Sequence, residues 1–149
     1  MQGDYASWNY FQSIKHENNQ KFVKSFQDKY GSNRVVADPM EAGYVGVYLY
    51  AKAVELVGST EIIQVREALK GMTLNAPEGV VGIDPENNHL SKIIRIGQIL
   101  ADGQFKIVSS SEQPIKAKPY PDYKTKEQWN SFLDNLYNQW NESWANPGL

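Results

Sequence analysis

Apolar residues at helical spacing predict four helices. Between residues 17 and 30 the apolar side chains recur every four positions, and Gly31 follows as a helix-ending glycine. The next segment is apolar around most of its circumference, which predicts a helix buried on several sides, with Asp38 as its N-cap. We expect helices over residues 17–30, 40–57 and 61–70, the last capped by Ser59 or Thr60, and a fourth that begins after Thr125.

Short β-branched and aromatic runs, separated by turn residues, predict strands. The pattern changes from helical to strand-like after Gly71. Residues 101–103 supply a tight turn, so the strands on either side of it form the clearest hairpin in the chain. The predicted strands are residues 5–11, 80–83, 91–100 and 104–109.

The C-terminal part of the chain carries a linker and an amphipathic helix. Three prolines, Pro114, Pro119 and Pro121, predict an extended linker. Thr125 and Gln128 are spaced as a capping box, so a helix should begin there. One stripe of this helix is strongly apolar, which predicts that it is buried against another apolar surface. The stripe consists of Trp129, Phe132, Leu133, Leu136, Trp140 and Trp144.

Composition argues against several classes of function. The chain has 149 residues, with 15 Lys and Arg against 17 Asp and Glu, so it has no basic excess for binding nucleic acid. It has no cysteine and two histidines far apart in sequence, so we expect neither a disulfide nor a metal site. The glycine motifs that bind phosphates and dinucleotides are missing, and no cofactor is predicted. The longest apolar stretch, residues 44–57, is interrupted by charges and too short for a membrane span.

The start of the chain is unusual for a natural N-terminus. It has neither the basic nor the apolar region of a signal peptide, and it enters aromatic sequence at Tyr5. N-termini usually begin with polar, expendable residues. We therefore expect the chain to begin at a cut within a longer protein.

Two places in the chain could carry chemistry. Residues 84–88 are rich in acidic and amide side chains, but Arg95 stands where a calcium loop needs a glutamate, so a solvated turn is expected. We expect the neighbouring His89 to make a structural hydrogen bond and His16 to be exposed to solvent. Glu41 opens the most apolar helix, where it is either stabilised by the helix dipole or acts as an acceptor in a cleft. On the residues alone the first reading is favoured.

Several segments, taken together, resemble a known family. In chain order they are YASWNYFQS, DPMEAGYVGVYLY, NAPEGVVGID, ENNHL, RIGQILADGQF and PIKAKPYP. This order is similar to that of the urea-type substrate-binding proteins of ABC transporters. The short-chain amide-binding regulatory proteins share a looser version of it. The resemblance covers most of the chain, from about residue 3 to residue 123.

The resemblance implies an α/β fold, namely the C-terminal portion of a two-lobed type I periplasmic binding protein with a C-terminal amphipathic helix. In that fold the ligand lies between two lobes that are joined by three crossings, and full-length members are more than twice as long as this chain. Residues 1–34 would be part of the second lobe with a crossing strand, and residues 35–90 part of the first lobe. Residues 91–111 would be a hairpin returning to the second lobe, and residues 112–149 the Pro-rich linker and last helix.

The resemblance also implies a set of ligand contacts. Asp4 and Tyr5, at the start of the first strand, and Tyr44 match contact positions, although urea-type members often carry histidine where Asp4 stands. Met40 and Glu41 belong to the matching Met-Glu-Ala-Gly-Tyr motif. Urea and short amides offer N–H donors and one carbonyl. A carboxylate such as Glu41 can accept two N–H bonds, and a hydroxyl such as that of Tyr44 can donate one.

The resemblance implies a periplasmic solute-binding protein that delivers urea or a short-chain amide to an ABC permease in the membrane. It does not imply an enzyme. An amide-sensing regulatory protein of the same fold and an amide-hydrolysing enzyme remain as alternatives. A fragment would hold only part of the ligand cleft, so we expect this chain alone not to bind urea usefully. It could instead pair with a second copy of itself to cover apolar surface, giving a non-native oligomer.

Overall fold

The protein, in a computed structural model, is described here over residues 1–145 and divides into two compact units, Met1–Ala117 and Lys118–Leu149. The described residues form four helices and six strands. The helices are α1 (Glu17–Tyr30), α2 (Asp38–Val57), α3 (Ile62–Leu69) and α4 (Lys126–Gln139). The strands are β1 (Tyr5–Trp8), β2 (Thr73–Ala76), β3 (Gly79–Ile83), β4 (Leu90–Ser91), β5 (Arg95–Ile99) and β6 (Phe105–Ser110).

The strands of the first unit form two separate antiparallel sheets. We call the sheet with strand order β1-β5-β6 sheet A and the sheet with order β2-β3-β4 sheet B. In sheet A, Tyr5 lies opposite Gln98 and Trp8 opposite Arg95. The chain thus starts in sheet A, passes through three helices to sheet B, and returns to sheet A for the predicted β5–β6 hairpin.

The strand predicted over residues 91–100 is wrong as one element. Leu90–Ser91 pairs with β3 of sheet B, whereas Arg95–Ile99 pairs with β1 and β6 of sheet A. Residues 92–94 cross between the two sheets. Both pieces share one alternating pattern, and alternation does not tell which partner a strand pairs with. Strand β2, whose sequence TLNA has little β-propensity, was not predicted.

The helix positions were predicted well and their N-caps less well. Helix α1 has the predicted bounds, and Gly31 follows it with a positive φ of 114°. Ala37, not Asp38, is the N-cap residue of α2, and the Asp38 carboxylate instead accepts a hydrogen bond from the backbone of Tyr10 at 2.9 Å. Neither Ser59 nor Thr60 is the N-cap of α3, because Glu61 occupies that position.

Two apolar clusters stabilise the first unit. The larger lies between α2, α3 and sheet B, where Val45, Ala53 and Val81 are fully buried. The second is built around Tyr10 and Phe11, which follow β1 and pack against α1 and β6. The prediction that α2 is buried on several sides is wrong, because one stripe of the helix is buried whereas Val47 and Leu56 are 67% and 71% exposed.

A buried asparagine holds α1 against the segment that follows β1. Asn19 is 1% exposed, and its Oδ1 accepts a hydrogen bond from the Tyr10 hydroxyl at 2.7 Å. Its amide nitrogen donates to the carbonyls of Gln12 and Ile14 at 2.9 and 2.8 Å. These bonds satisfy a polar group that would be costly to bury alone. They fix the path of the chain between sheet A and α1.

The second unit contains the predicted capping box but not the predicted buried stripe. Thr125 accepts a hydrogen bond from the Gln128 backbone, and the Gln128 side chain accepts one from the Thr125 backbone. No residue of α4 is buried, and Phe132 is 47% exposed. Trp144 lies beyond the helix, which ends at Gln139, and is 62% exposed. The stripe is therefore not buried within its own unit, and its burial against another surface stays a prediction. None of the helices over residues 1–145 is both long and apolar enough to cross a membrane.

Gly97→Ala should destabilise the first unit, because a Cβ at this buried position in β5 would lie 2.8 Å from the Phe11 ring and 3.0 Å from Phe105. We expect a loss of about 1–3 kcal/mol from overpacking, measured by guanidinium denaturation. The matched control is Gly46→Ala, where the new Cβ meets nothing within 4 Å and the helix should gain stability. If the two variants are equally stable, the close packing around Gly97 is incorrect.

Candidate functional site

The candidate site is built on Glu41, which lies in the first turn of α2 and is 0% exposed. The helix-forming, apolar sequence on either side carries its side chain into the interior together with Val45, one turn later. Neither carboxylate oxygen of Glu41 has a hydrogen-bond donor within normal geometry, although the backbone and the carboxyl of Glu78 lie close enough to act on the pKa of Glu41. A buried carboxylate without donors is unfavourable unless a charge, a proton or a ligand compensates it.

A second buried acid faces the same place. Glu78 occupies the turn between β2 and β3 and is 1% exposed. Pro77 precedes it, and Gly79 follows with a φ of 115°, a backbone conformation that favours glycine. The turn therefore points a carboxylate inward where turns usually present polar groups to solvent.

Two cations compensate the acids. The Nζ of Lys92 lies 2.6 Å from the Glu78 Oε1 and 3.9 Å from the Glu41 Oε2, and its side chain is 16% exposed. The guanidinium of Arg95 donates to the backbone carbonyls of Asn9 and Glu78. We call Glu41, Glu78, Lys92 and Arg95 the charge cluster. It joins α2, the β2–β3 turn, the sheet-crossing segment and β5.

The cluster changes how its acids and neighbours titrate. Burial and the nearby Glu78 carboxylate raise the pKa of Glu41 from 4.5 to about 7, against the lowering effect of Lys92. Burial, and then the charge of Glu41, raises the pKa of Tyr10 well above its usual range. Burial also raises the pKa of Tyr44 to about 12, helped by a hydrogen bond with Tyr48. Near neutral pH, the net charge of the cluster therefore changes most readily when Glu41 gains or loses its proton.

The structure brings together some of the residues predicted from the sequence and separates others. Glu41 and Tyr44 lie one turn apart on α2, and Met40, beside them in sequence, is 47% exposed. Asp4 and Tyr5 are exposed at the far end of β1, where the Tyr5 hydroxyl accepts a hydrogen bond from Gln98. Trp8, at the other end of β1, lies opposite Arg95. Tyr5 is three residues away from Trp8, which is about 10 Å along a strand.

The first unit also has two cavities, and no residue of the charge cluster lines either of them. One, of about 330 Å³, lies beside the stacked rings of Phe22, Tyr44 and Tyr48, whose successive centroids are 4.6 and 4.4 Å apart. The other, of about 290 Å³, is lined mainly by apolar and aromatic residues of the segment after β1, the entry to α2 and the β5–β6 turn. Its charged lining residue is Asp38. Both are near the lower limit of small-ligand sites.

Three members of the cluster were not predicted as site residues. Glu78, Lys92 and Arg95 lie far from Glu41 in sequence, and none stands in a pattern that predicts burial. The Pro77–Gly79 flank of Glu78 was the available signal, because it predicts a tight turn with a fixed orientation. The expectations for the two histidines have different outcomes. His89 makes the expected structural bond, to the Asn87 carbonyl, whereas His16 is half-buried rather than exposed.

The acidic turn at residues 84–88 forms as predicted. Asp84 accepts a hydrogen bond from the Glu86 backbone at 2.9 Å and pairs with Lys116 at 3.4 Å, and Asn88 has a positive φ of 60°. Asp84 itself is 5% exposed, so this carboxylate is less solvated than expected. Over residues 1–145 the structure has no cluster of three or more acidic or histidine side chains suited to a metal ion.

Comparison with known proteins identifies the family. Residues 1–126 match the family described as "Periplasmic binding protein domain", and the chain belongs to this family. The chain is 23% identical to a solute-binding protein of an ABC transporter from Rhodopseudomonas palustris BisB5, solved in complex with 3,4-dihydroxybenzoic acid. That likeness has a TM-score of 0.71 and covers 77% of this chain and 32% of that protein, and it shows the shared fold.

Two curated relatives match shorter parts. The chain is 39% identical over 117 residues to "Limonene hydroxylase" of Geobacillus stearothermophilus, covering 78% of this chain and 21% of that protein. It is 29% identical over 98 residues to "Leu/Ile/Val-binding protein homolog 6" of Brucella abortus, covering 65% of this chain and 25% of that protein. The chain therefore spans about a quarter of the curated relatives it matches. It has the α/β fold of a fragment of a type I periplasmic binding protein.

Lys92→Met should destabilise the chain strongly, because it removes the cation that pairs with the buried carboxylate of Glu78 at 2.6 Å. Breaking a buried pair by removing one partner costs about 3–5 kcal/mol. Guanidinium denaturation at pH 8 measures the loss. Lys106→Met, at an exposed position of β6, is the control and should change stability by less than about 0.5 kcal/mol. Equal losses in the two variants would show that Lys92 does not stabilise the buried acids.

Proposed function

We propose that this chain is part of the solute-binding component of an ABC importer, acting in the periplasm and delivering its ligand to a membrane permease. Family membership supports this proposal, as do the structural neighbours, which are solute-binding proteins of ABC transporters. The lobe assignment is part of the proposal. Residues 35–90 would complete one lobe through α2, α3 and sheet B, and residues 91–111, with β1, would return to the other through sheet A.

The proposed ligand is a small uncharged amide such as urea. The observation that carries this proposal is the Glu41 carboxylate, which is buried, has no donor within normal hydrogen-bond geometry and lies 3.9 Å from the Lys92 Nζ. A ligand with two N–H groups on one carbon could bind both oxygens in a fork, and a ligand without them would leave the acid unsatisfied. We propose that the hydroxyl of Tyr44, one turn away on α2, donates to a ligand carbonyl in place of its hydrogen bond with Tyr48.

Access to Glu41 requires movement, since water does not reach it in this conformation. We propose that the ligand enters while the lobes are apart, through the exposed residues of the predicted set. Met40 lies at the start of α2, and Asp4 and Tyr5 lie at the start of β1. The last two would line the opposite side of the cleft when the lobes close.

A second candidate ligand class is suggested by the relatives. One structural neighbour was solved with an aromatic acid, and one relative is named as binding branched-chain amino acids. The aromatic lining of the 290 Å³ cavity favours a ring, but its charged residue, Asp38, would repel a carboxylate. The cations near Glu41 already have partners in Glu78 and in backbone carbonyls. A neutral amide therefore suits the charges better than an acid does.

We propose a binding role rather than catalysis. The hydroxylase name belongs to a relative of which this chain matches 21%, and the structural neighbours are binding proteins. A regulatory protein that senses amides would need the same binding site as a transport protein. The two are distinguished by whether the protein's partner is a permease. Ammonia release during incubation with urea would identify the third alternative, an amide hydrolase.

Calorimetric titration tests the ligand proposal on a binding protein of the relatives' full length that carries this sequence. Urea or acetamide should saturate it, and benzoate and leucine should not. Glu41→Gln should weaken amide binding at least tenfold, because an amide side chain presents one acceptor and one donor where the ligand needs two acceptors.

The control for this titration is Glu55→Gln, at an exposed position of the same helix, which should bind as the parent does. The 149-residue chain alone should give no measurable heat with urea, because a four-atom ligand gains about 6 kcal/mol at most even in a complete site. Saturation by benzoate but not by amides would overturn the amide proposal and support the second class.

A further inference from the structure

Two stretches of chain connect sheet A to sheet B, and a third, which leaves sheet A after β6, meets them at one place. The first follows β1 at Asn9, the second is the crossing segment of residues 92–94, and the third follows β6 and reaches Ile115. We call this meeting place the junction.

Hydrogen bonds connect each passage to the second one. Asn9 donates from its side chain to the carbonyl of Ile93 at 3.0 Å. Lys92 and Ile115 form an antiparallel bridge, with the amide of Ile115 donating to the Lys92 carbonyl at 2.8 Å. Ser111 donates from its backbone to the Ile94 carbonyl at 2.9 Å. The crossing segment is thus the central strand of the junction.

The charge cluster lies directly on this segment. Lys92 is its first residue, and Arg95, the first residue of β5, donates both to Asn9 in the first passage and to Glu78 in the β2–β3 turn. Through Lys92 the same segment reaches the acids Glu78 and Glu41. Two buried acids of the sheet B side are therefore connected to the junction through two cations that the segment itself carries.

We propose that Glu41, Glu78, Lys92 and Arg95 form a positioning network that sets the geometry of the junction, and that the network tightens when Glu41 is protonated and loosens when it is ionised. With Glu41 neutral, Lys92 is free to pair with Glu78 alone at 2.6 Å. With Glu41 ionised, two buried carboxylates share one ammonium. This role does not depend on which ligand the protein binds.

The groups facing Glu41 are consistent with a single titrating acid. From the other elements packed around it come Glu78, Lys92, Arg95 and the hydroxyl of Tyr10, and from its own helix comes Tyr44. Both tyrosines stay neutral over the physiological range because their pKa values are raised, and the two cations stay charged. Glu41 is thus the member of the network whose charge changes near neutral pH.

The sign of the effect on stability follows from linkage. Glu41 has a higher pKa in the folded chain, about 7, than its ordinary value of 4.5, so the folded state binds the proton more tightly. The stabilisation from this proton is complete below pH 4.5 and is lost as the pH rises through 7. A permanently neutral side chain at this position should not show that loss.

The test measures thermal unfolding of the 149-residue chain, its Glu41→Gln variant and the exposed control Glu55→Gln between pH 5 and pH 9. Glu41→Gln should unfold at nearly the parent's midpoint at pH 5 and several degrees above it at pH 9. The difference between the control and the parent should not change with pH. A Glu41→Gln variant that is less stable than the parent by the same amount at every pH would overturn the proposal.

Amide hydrogen exchange locates the effect. The protection factor of the Ile115 amide, which bonds to Lys92, should fall between pH 6 and pH 8 in the parent and stay constant in Glu41→Gln. The Gly58 amide, bonded to Val54 at the end of α2, should show no such change. Lys92→Arg should retain the parent's pH profile, since it keeps the cation. Equal changes at Ile115 and Gly58 would mean that Glu41 affects overall stability and not the junction.

Discussion

The structure depends on how two buried carboxylates are kept in the interior of a small α/β unit. Glu41 and Glu78 are 0% and 1% exposed, and an isolated buried charge is among the most costly features a protein can contain. Lys92 and Arg95 offset that cost, but only if the segment that carries them runs between the acids and sheet A. The requirement for these partners therefore fixes where the chain crosses from one sheet to the other. A buried ionic network of this kind is better suited to specifying one arrangement than to adding stability.

The same constraint connects the fold to the proposed function. A protein that closes around a ligand needs its two halves to move about a small number of shared segments. In this chain the passages between the sheets are bonded to one another at the junction, while the exposed candidate contacts Met40, Asp4 and Tyr5 lie away from it. Glu41 belongs to both descriptions, as an acceptor without a hydrogen-bond donor and as a member of the charge cluster. The proposed binding site and the proposed positioning network therefore share one carboxylate.

Much of the fold was predictable because it follows from local patterns. The bounds of α1, the apolar character of α2 and the capping box at Thr125 all depend on residues a few positions apart. The split of residues 91–100 between two sheets could not be predicted, because alternation specifies a strand and not its partner. The exposed stripe of α4 is a different case. Amphipathicity shows which face is suited to burial, and not whether a surface is present to cover it.

The candidate site also has a part that the sequence predicts and a part that it does not. Glu41 could be singled out because a charge at the start of an apolar helix is conspicuous, and the resemblance added Tyr44 and Met40. Its partners Glu78, Lys92 and Arg95 come together only in three dimensions. Carbon-13 NMR of the Glu41 side-chain carboxyl, assigned by its absence from Glu41→Gln, tests this picture most directly. The account predicts a titration midpoint near pH 7; a midpoint near the ordinary 4.5 would mean that Glu41 is solvated and that the charge cluster does not exist as described.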